Sequence, residues 1–392
     1  MRARPQGRMP GADGTTGERH GCSMTQIRLR GPADVVAVLP YQLGYHPRDS
    51  IVVVALHDRA VGLIERLDLP APEHAEEAGR VLVGPLLRER PEAVLLVGYE
   101  TAEGSSSPAL DAVRGQLMEA DLDVLDRLVV RDGRWYSIDC ADTCCPPEGI
   151  PVQAADTPAV AEFVGLEVSP LTGRSAITDL VAADPTLAAA VGAALGERGA
   201  ADPGLTATGP TDASLSDAAR RLRALSGWAV VCDVTAGAAE VEDLAPAQLA
   251  LLVHSLEDLA LRDGLVAWLC PGSLPLACLP PDLFDALRCT LPTPTWHRTS
   301  PDGSGAIAGR RLVARLQSLV RSVPDEHATP ALTVLANLAW WQGDGALART
   351  CLDRALEALP GYRLALLLER MLDLGVRPGG HGEELGEGVR AG

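Results

Sequence analysis

No lysine occurs in the chain: all 34 basic residues are arginines, a usage that fits a GC-rich genome more readily than a function. Aromatic residues make up only 3% of the 392 residues, so the core has to be built from leucine, valine and alanine. Positive charge is scarce as well. The 52 acidic residues outweigh the arginines and leave a net charge of −18. Such a field repels phosphate backbones and anionic membrane surfaces. The arginines form no patch beyond short doublets, so no nucleic acid is expected as a partner. No uninterrupted apolar run approaches the roughly 18 residues that a membrane-spanning helix needs, so no membrane is expected either. Residues 1–23 lack the apolar stretch of a secretory signal and are rich in Arg, Gly and Pro; they read as a disordered leader or a mis-called start ahead of Met24. Without an export signal the expected localisation is cytoplasmic and reducing. The 9 cysteines are then expected as free thiols, buried small residues or metal ligands rather than disulfides.

What is present is a globular composition, 47% hydrophobic, in a chain long enough for two or three units of about 150 residues. GPADVVAVLPYQLG spaces Val35, Val36, Leu39 and Leu43 on one helical face, with Pro40 limiting or kinking the element and Gly44 suited to end it. SIVVVAL (50–56) is a continuous β-branched run, as in a strand buried on both faces. VGLIERLDL (61–69) alternates and pairs with it as a hairpin having one polar face. A helix over 73–88 with a break near Pro85, a strand over 93–99 and a helix over 108–120 follow. Asp132-Gly133 then joins two strand-like runs within 123–139, the strongest hairpin signal in the chain. Helices are expected over 157–166, 185–195, 212–226, 245–269 and 281–290, with loops over 196–214 and 300–309 and a stray strand over 227–234. Residues 329–372 read as helix–turn–helix–turn–helix, with Leu332, Leu335, Ala339, Ala348, Leu352 and Ala355 on the inner faces. Small residues at that spacing let antiparallel helices approach closely, which is similar to a tetratricopeptide repeat; an ordinary helical hairpin satisfies the same pattern.

Three stretches carry a family resemblance: LPYQLGYHPRDSIVVVAL, WYSIDCADTCCPPEGIP and AWWQGDGALA…ALPGYRLALLLE. Over roughly Met24 to Arg370 the chain resembles the actinobacterial proteins grouped as domain of unknown function 4192. The resemblance implies a soluble bacterial protein of one recurring architecture, supports Met24 as the start, and implies no known activity.

The residues themselves offer two constellations. Cys140, Cys144 and Cys145 stand in C-x3-C-C spacing. A structural zinc takes four thiolate or imidazole ligands, commonly as two separated pairs. This loop supplies at most three, and adjacent side chains such as those of Cys144 and Cys145 diverge; His46 is the best fourth ligand, and zinc the cofactor such a set would suit. A nucleophilic thiolate needs a nearby cation or imidazole. The loop offers Asp139, Asp142 and Glu148, which raise a thiol pKa, unless His46 or Arg48 compensates. A vicinal Cys144–Cys145 disulfide and a tight structural loop closed by Pro146-Pro147 and Gly149 are the other readings. Beyond Cys22 in the leader, the cysteines at 232, 270, 278, 289 and 351 read as core residues, Cys270, Cys278, Cys289 and His297 having poor spacing for zinc.

The second constellation is HPRDS, where His46, Arg48, Asp49 and Ser50 offer a base, an anion clamp, an acceptor and a hydroxyl at the mouth of a strand; the same residues also suit an ordinary turn with Arg48 paired to Asp49. If the strand leading to Asp139 runs antiparallel to the Ile51 strand, both constellations share one rim of the sheet. The expected organisation is a leader (1–23), an α/β domain with a mixed sheet (24–170), an all-α domain with linkers (171–325), a tetratricopeptide-like helical hairpin (326–375) and a disordered tail (376–392). The expected function is a binding or regulatory protein. Its small-ligand pocket uses His46, Arg48, Asp49, Asp139 and Glu148, or its metal pocket His46 and Cys140, Cys144 and Cys145, and the helical half contacts protein. The alternatives are an enzyme with His46, Asp49, Ser50 or Cys140 as catalytic candidates, and a purely structural interaction protein.

Overall fold

In the computed structural model, residues 30–57, 60–140, 145–200, 217–275, 278–296, 303–376 and 378 are described. The leader with Met24, the centre of the cysteine loop (141–144), most of the 196–214 loop and the tail beyond 378 lie outside the described residues.

Helix α1 (Pro32–Leu43) starts with proline in its first turn, where no N–H is needed, and runs through Pro40 to Gly44, whose φ of 78° ends it. Strand β1 (Ser50–His57) follows. Its β-branched side chains favour a pleated backbone, and Ile51 through Ala55 are all at 0% exposure. It pairs antiparallel with β2 (Ala60–Asp68) as the expected hairpin. Helix α2 (Ala75–Glu89) continues through Pro85, where a break was expected. Leu82, Val83 and Leu86 pack on the sheet on either side of the proline and outweigh the one hydrogen bond it removes.

Strand β3 (Ala93–Tyr99) pairs antiparallel with β1, and α3 (Ser107–Glu119) crosses over to β4 (Asp123–Arg131), which is parallel to β3. Asp132 and Gly133, with φ of 50° and 71°, turn the chain into β5 (Arg134–Ser137), antiparallel to β4. A short β6 (Ile150–Pro151) closes a mixed sheet of order β2-β1-β3-β4-β5-β6. One face packs Val52, Val54, Leu95, Val97, Leu128 and Trp135 under Val35, Val36 and Leu39 of α1. The other packs Ile51, Val53, Leu96 and Val129 under α2 and α3.

The rest is helical. Helix α4 (Pro158–Gly165) packs Ala159, Val160 and Phe163 on Ala37 and Val38 of α1. Then come α5 (Ser175–Val181), α6 (Pro185–Ala200), α7 (Asp217–Val231), α8 (Pro246–Ser255), α9 (Leu259–Leu269), α10 (Pro281–Thr290) and α11 (Ser304–Arg321). The chain ends in α12 (Asp325–Trp341), α13 (Gly345–Ala358) and α14 (Arg363–Asp373). One core unites α7 to α14 around Trp228, Leu265, Leu316, Leu335 and Leu352. It reaches the sheet through Tyr45, whose neighbours Gly44 and His46 exchange backbone hydrogen bonds with Leu171.

Several expectations are corrected here. The strand expected over 227–234 is instead the last turns of α7 as far as Val231, where Trp228 and Val231 are buried in the helical core, followed by a turn. The expected long helix over 245–269 is two, because Asp258 turns out of α8 and caps α9 by accepting from the N–H groups of Ala260 and Leu261. Helix α6 extends to Ala200 and α11 starts at Ser304, so parts of both expected loops are helical. The stretch 175–197 is apolar enough to cross a membrane by composition, yet it divides into α5 and α6 at extended Ala182 and at Asp184, which accepts from the N–H groups of Thr186 and Leu187.

Gly98 marks where the sheet meets α3. A Cβ there would lie 2.6 Å from Ser106 Cβ, and overpacking of that kind costs about 1 to 3 kcal/mol. Gly98→Ala is expected to lower stability by about 2 kcal/mol in urea unfolding, with the m-value unchanged.

Candidate functional site

The strand directions separate the two constellations. Strand β1 is antiparallel to β3, β3 parallel to β4, and β4 antiparallel to β5, so β5 runs parallel to β1. Asp139 and Cys140, beyond the C-terminal end of β5, therefore lie toward the end of the sheet where β1 finishes, and His46 toward the end where it starts. Three strand spacings, roughly 14 Å, add to that offset. The expected convergence of His46 on Cys140 is thus corrected: the α3 crossover makes β3 and β4 parallel and reverses the sense that a shared rim requires.

Asp139 is built into the fold. Arg127 on β4, buried beneath α3, donates Nε to Asp139 Oδ2 at 2.9 Å and Nη2 to Oδ1 at 2.6 Å, and its Nη1 pairs with Asp111. Arg114 adds a contact at 3.6 Å. The hydrogen bonds from Arg127 are the largest cause holding the Asp139 carboxyl below its ordinary value, against an opposing desolvation. The loop's exit is pinned by Arg134, whose Nε and Nη2 donate to the carbonyls of Glu148 (2.6 Å) and Gly149 (2.9 Å). Gly149 is required twice: its φ is 72°, and a Cβ would lie 2.6 Å from the Tyr136 ring. The Glu148 side chain is exposed. Cys140 and Cys145 are half-buried, and Cys144 lies outside the described residues. Among the described residues, no group of three or more His, Cys, Asp or Glu could hold a metal ion.

In the HPRDS stretch, His46 and Arg48 are exposed. Asp49, at φ 41°, accepts from the Thr101 backbone N–H at 3.0 Å and from the Thr101 hydroxyl, tying the entry of β1 to the exit of β3. Next to it Glu100, which no sequence motif singles out, has its carboxylate buried. It accepts from Gly104 N (3.1 Å), Ser106 N (2.9 Å), Ser106 Oγ (2.6 Å) and Arg131 Nη1 (3.0 Å), fastening the start of α3 to the sheet.

Ser50 behaves differently. It is at 0% exposure, and its Oγ has no hydrogen-bond partner among the described residues. Tyr99 OH, Trp135 Nε1, Arg66 Nε and Nη1 and, in the helical half, Arg310 Nη2 are buried atoms that likewise have no partner among the described residues. Ser50, Arg66, Tyr99 and Trp135 share the sheet face beneath α1. Ser50 pairs with Tyr99, Tyr99 with Val130, and Val130 with Trp135, so Ser50 and Tyr99 are neighbours, while Trp135 stands two strands beyond Tyr99 with apolar Val130 between them. Arg66 pairs with Val52 on the other side of Ser50, at a diagonal of about 7 to 8 Å. Its side chain is 8% exposed. Only its Nη2 is engaged, with Asp68 Oδ1 at 2.5 Å and with the Arg48 carbonyl at 3.4 Å. The guanidinium lies 5.9 Å from the Tyr45 ring. Burial raises the pKa of both Tyr45 and Tyr99, so both hydroxyls keep their protons at neutral pH.

A buried polar group left unpaired costs about 1 to 3 kcal/mol. Four such residues cost on the order of 5 kcal/mol, comparable to the net stability of an ordinary domain. The sequence carried a faint sign of this row: the polar face of β2 holds Arg66, which a strand with a solvated face would leave in water. Its burial became visible only with α1 in place.

Other features are structural. A groove of ≈ 670 Å³ lies between α5 and α13, but its Arg354 is consumed by Asp325 and the carbonyls of Val181, Val320 and Val323. Trp340 and Trp341 are buried and donate to the carbonyls of Val376 (2.9 Å) and Pro271 (3.1 Å). Cys232, Cys270 and Cys351 are core residues, burial pushing the Cys232 thiol up to about 12. Cys278 and Cys289 are exposed, which corrects the expectation of five core cysteines.

Arg127→Met leaves the carboxylates of Asp111 and Asp139 without their main partner and is expected to cost about 2 kcal/mol by denaturant unfolding at pH 7. Because the native Asp139 pKa is depressed, its contribution is complete above the unfolded carboxylate value near 4 and is lost as pH falls through the native value. The deficit of the variant is therefore expected to shrink below about pH 4.

Neither a curated protein nor a solved structure matches the chain. The sequence profile of one family, described as "Domain of unknown function (DUF4192)", matches residues 32–295 and 302–379. The chain belongs to that family.

Proposed function

We propose that the protein is a cytoplasmic binding or regulatory protein whose small ligand sits at the rim of the sheet, against Arg66, Ser50 and Tyr99. The observation that carries this reading is the set of buried polar atoms that no described residue satisfies. Buried polar groups are otherwise almost always paired, and an exception of this size calls for an occupant. His46, Arg48 and Asp49 lie on the exposed turn next to Ser50 and border the site. This replaces a pocket shared by His46 and the cysteines. A tetratricopeptide-like end fits the antiparallel α12 and α13 followed by α14. Leu359, Leu366 and Leu367, at 49%, 42% and 60% exposure, give the helical half an apolar surface suited to a protein partner.

The test is the Ser50→Ala/Tyr99→Phe double variant of the full chain. Removing two unpaired hydroxyls is expected to leave the ligand-free protein as stable as the wild type, or up to about 2 kcal/mol more stable, in urea unfolding. Mass spectrometry of the denatured wild-type protein is expected to reveal a small molecule that the double variant does not retain. A double variant destabilised by more than about 1 kcal/mol, with nothing released from the wild type, would show that bound waters satisfy the row structurally.

A further inference from the structure

We infer, on the reading of the helical half as a protein-contact surface, that the outer face of α14 takes an acidic amphipathic helix of a partner protein. That helix lays an apolar stripe on Leu366 and Leu367 and pairs its flanking carboxylates with Arg363 and Arg370.

Helix α14 (RLALLLERMLD) is apolar on two sides. On the inner side Ala365 and Leu368 are buried, and Met371 and Leu372 pack on the helical core. The flank toward α13 is committed, because Arg349 takes Glu369 at 3.4 Å and also pairs with Asp373. The C-terminal end is held from two directions. Arg88 on α2 donates Nε to the Leu374 carbonyl at 2.9 Å, and Trp340 on α12 donates to the Val376 carbonyl. Left over are Arg363, Leu366, Leu367 and Arg370. They stand at i, i+3, i+4 and i+7, which is one stripe along the helix, and all four are exposed. Neither arginine has an ion pair among the described residues. Stacked helical hairpins normally finish on a polar outer face. Helix α14 presents two leucines instead, and no helix follows it among the described residues. Because α14 is already fixed at its flank and its end, a partner meets a preorganised surface.

Charge selects the occupant. A second copy of the chain would set the stripe on itself. Antiparallel pairing then brings Arg363 against Arg370 of the other copy, and parallel pairing brings each arginine against its equivalent, so like charges meet either way. An anionic bilayer faces one whole side of the molecule and meets the field of its net charge of −18. A single helix meets only the stripe. Screening over about 8 Å at physiological salt leaves the two local arginines to decide the sign of its charge. They are seven residues apart, about 10.5 Å along α14, which matches carboxylates one heptad apart on a helix packed alongside.

The experiment is fluorescence anisotropy of the full chain with a labelled peptide of three Glu-Leu-Ala-Ala-Leu-Glu-Ala heptads, and with the same peptide carrying Lys for every Glu, in about 0.15 M salt. The acidic peptide is expected to bind at least tenfold more tightly than the lysine peptide. Arg363→Glu/Arg370→Glu should invert that order, which a misfolded variant cannot do. Leu366→Ser/Leu367→Ser should weaken the acidic peptide at least tenfold. Arg288→Glu/Arg311→Glu, the same charge change on exposed positions of α10 and α11, should leave it unchanged. Equal binding of the lysine peptide by the wild type would overturn the acidic class and leave a protein-contact surface. Binding insensitive to the α14 variants would overturn the site as adsorption elsewhere. Binding of neither peptide by a chain that sediments as a monomer would overturn the acidic helix and the protein-contact reading of α14 together, without bearing on a ligand beside Arg66. Three outcomes would replace the partner helix by another occupant and so overturn it. A dimer dissolved by Leu366→Ser/Leu367→Ser would name a second copy. Peptide binding that appears only when Glu383, Glu384 and Glu387 are changed to Gln would name the chain's own C-terminal segment. Retention on phosphatidylserine vesicles, lost in Arg363→Glu/Arg370→Glu, would name a membrane.

Discussion

Burial of β1 on both faces is the constraint on which the rest of the structure depends. Ile51 to Ala55 have no exposed surface, so the strand needs partners on both edges and cover on both sides. β2 and β3 supply the edges, α1 one cover, and α2 with α3 the other. Burying an aliphatic side chain is worth about 1.5 to 3 kcal/mol, so this strand outweighs any single polar contact around it. It also carries its first residue, Ser50, into the same dry layer, together with Arg66, Tyr99 and Trp135 from its neighbours. The polar row thus follows from the strategy that stabilises the sheet, and its cost is tolerable because the aliphatic core around it is large.

The two ends of the sheet differ in how they treat charge. At the α3 side, Arg127, Asp111, Arg114 and Asp139 satisfy one another, and at the exit of β3 the Glu100 carboxylate gathers four donors. These networks are complete and hold crossovers in place. The row under α1 has unspent hydrogen-bonding capacity in residues equally well buried.

Much of the sheet was legible in local sequence. The β-branched run of β1, the alternation of β2 and the Asp132-Gly133 turn each encode a local conformation, and all appear in place. The C-terminal helices follow from their spacing and from turn residues such as Gly343. What was not legible is non-local. Whether β5 runs with or against β1 depends on β3 and β4 being parallel, which the α3 crossover decides and no short motif records. The cysteine-rich loop drew attention because its composition is unusual, and the His46 stretch because it is rich in reactive types. The buried polar residues are ordinary types on four separate strands, placed on one face of the sheet by register alone.

The most direct measurement is a crystal structure of the full chain. Non-water density is expected beside Arg66, Ser50 and Tyr99, with acceptor atoms about 2.7 to 3.1 Å from Arg66 Nε and Tyr99 OH. Ordered waters alone bridging Ser50, Tyr99 and Arg66, each making its usual two to four hydrogen bonds, would contradict the binding reading and make the row a hydrated part of the core.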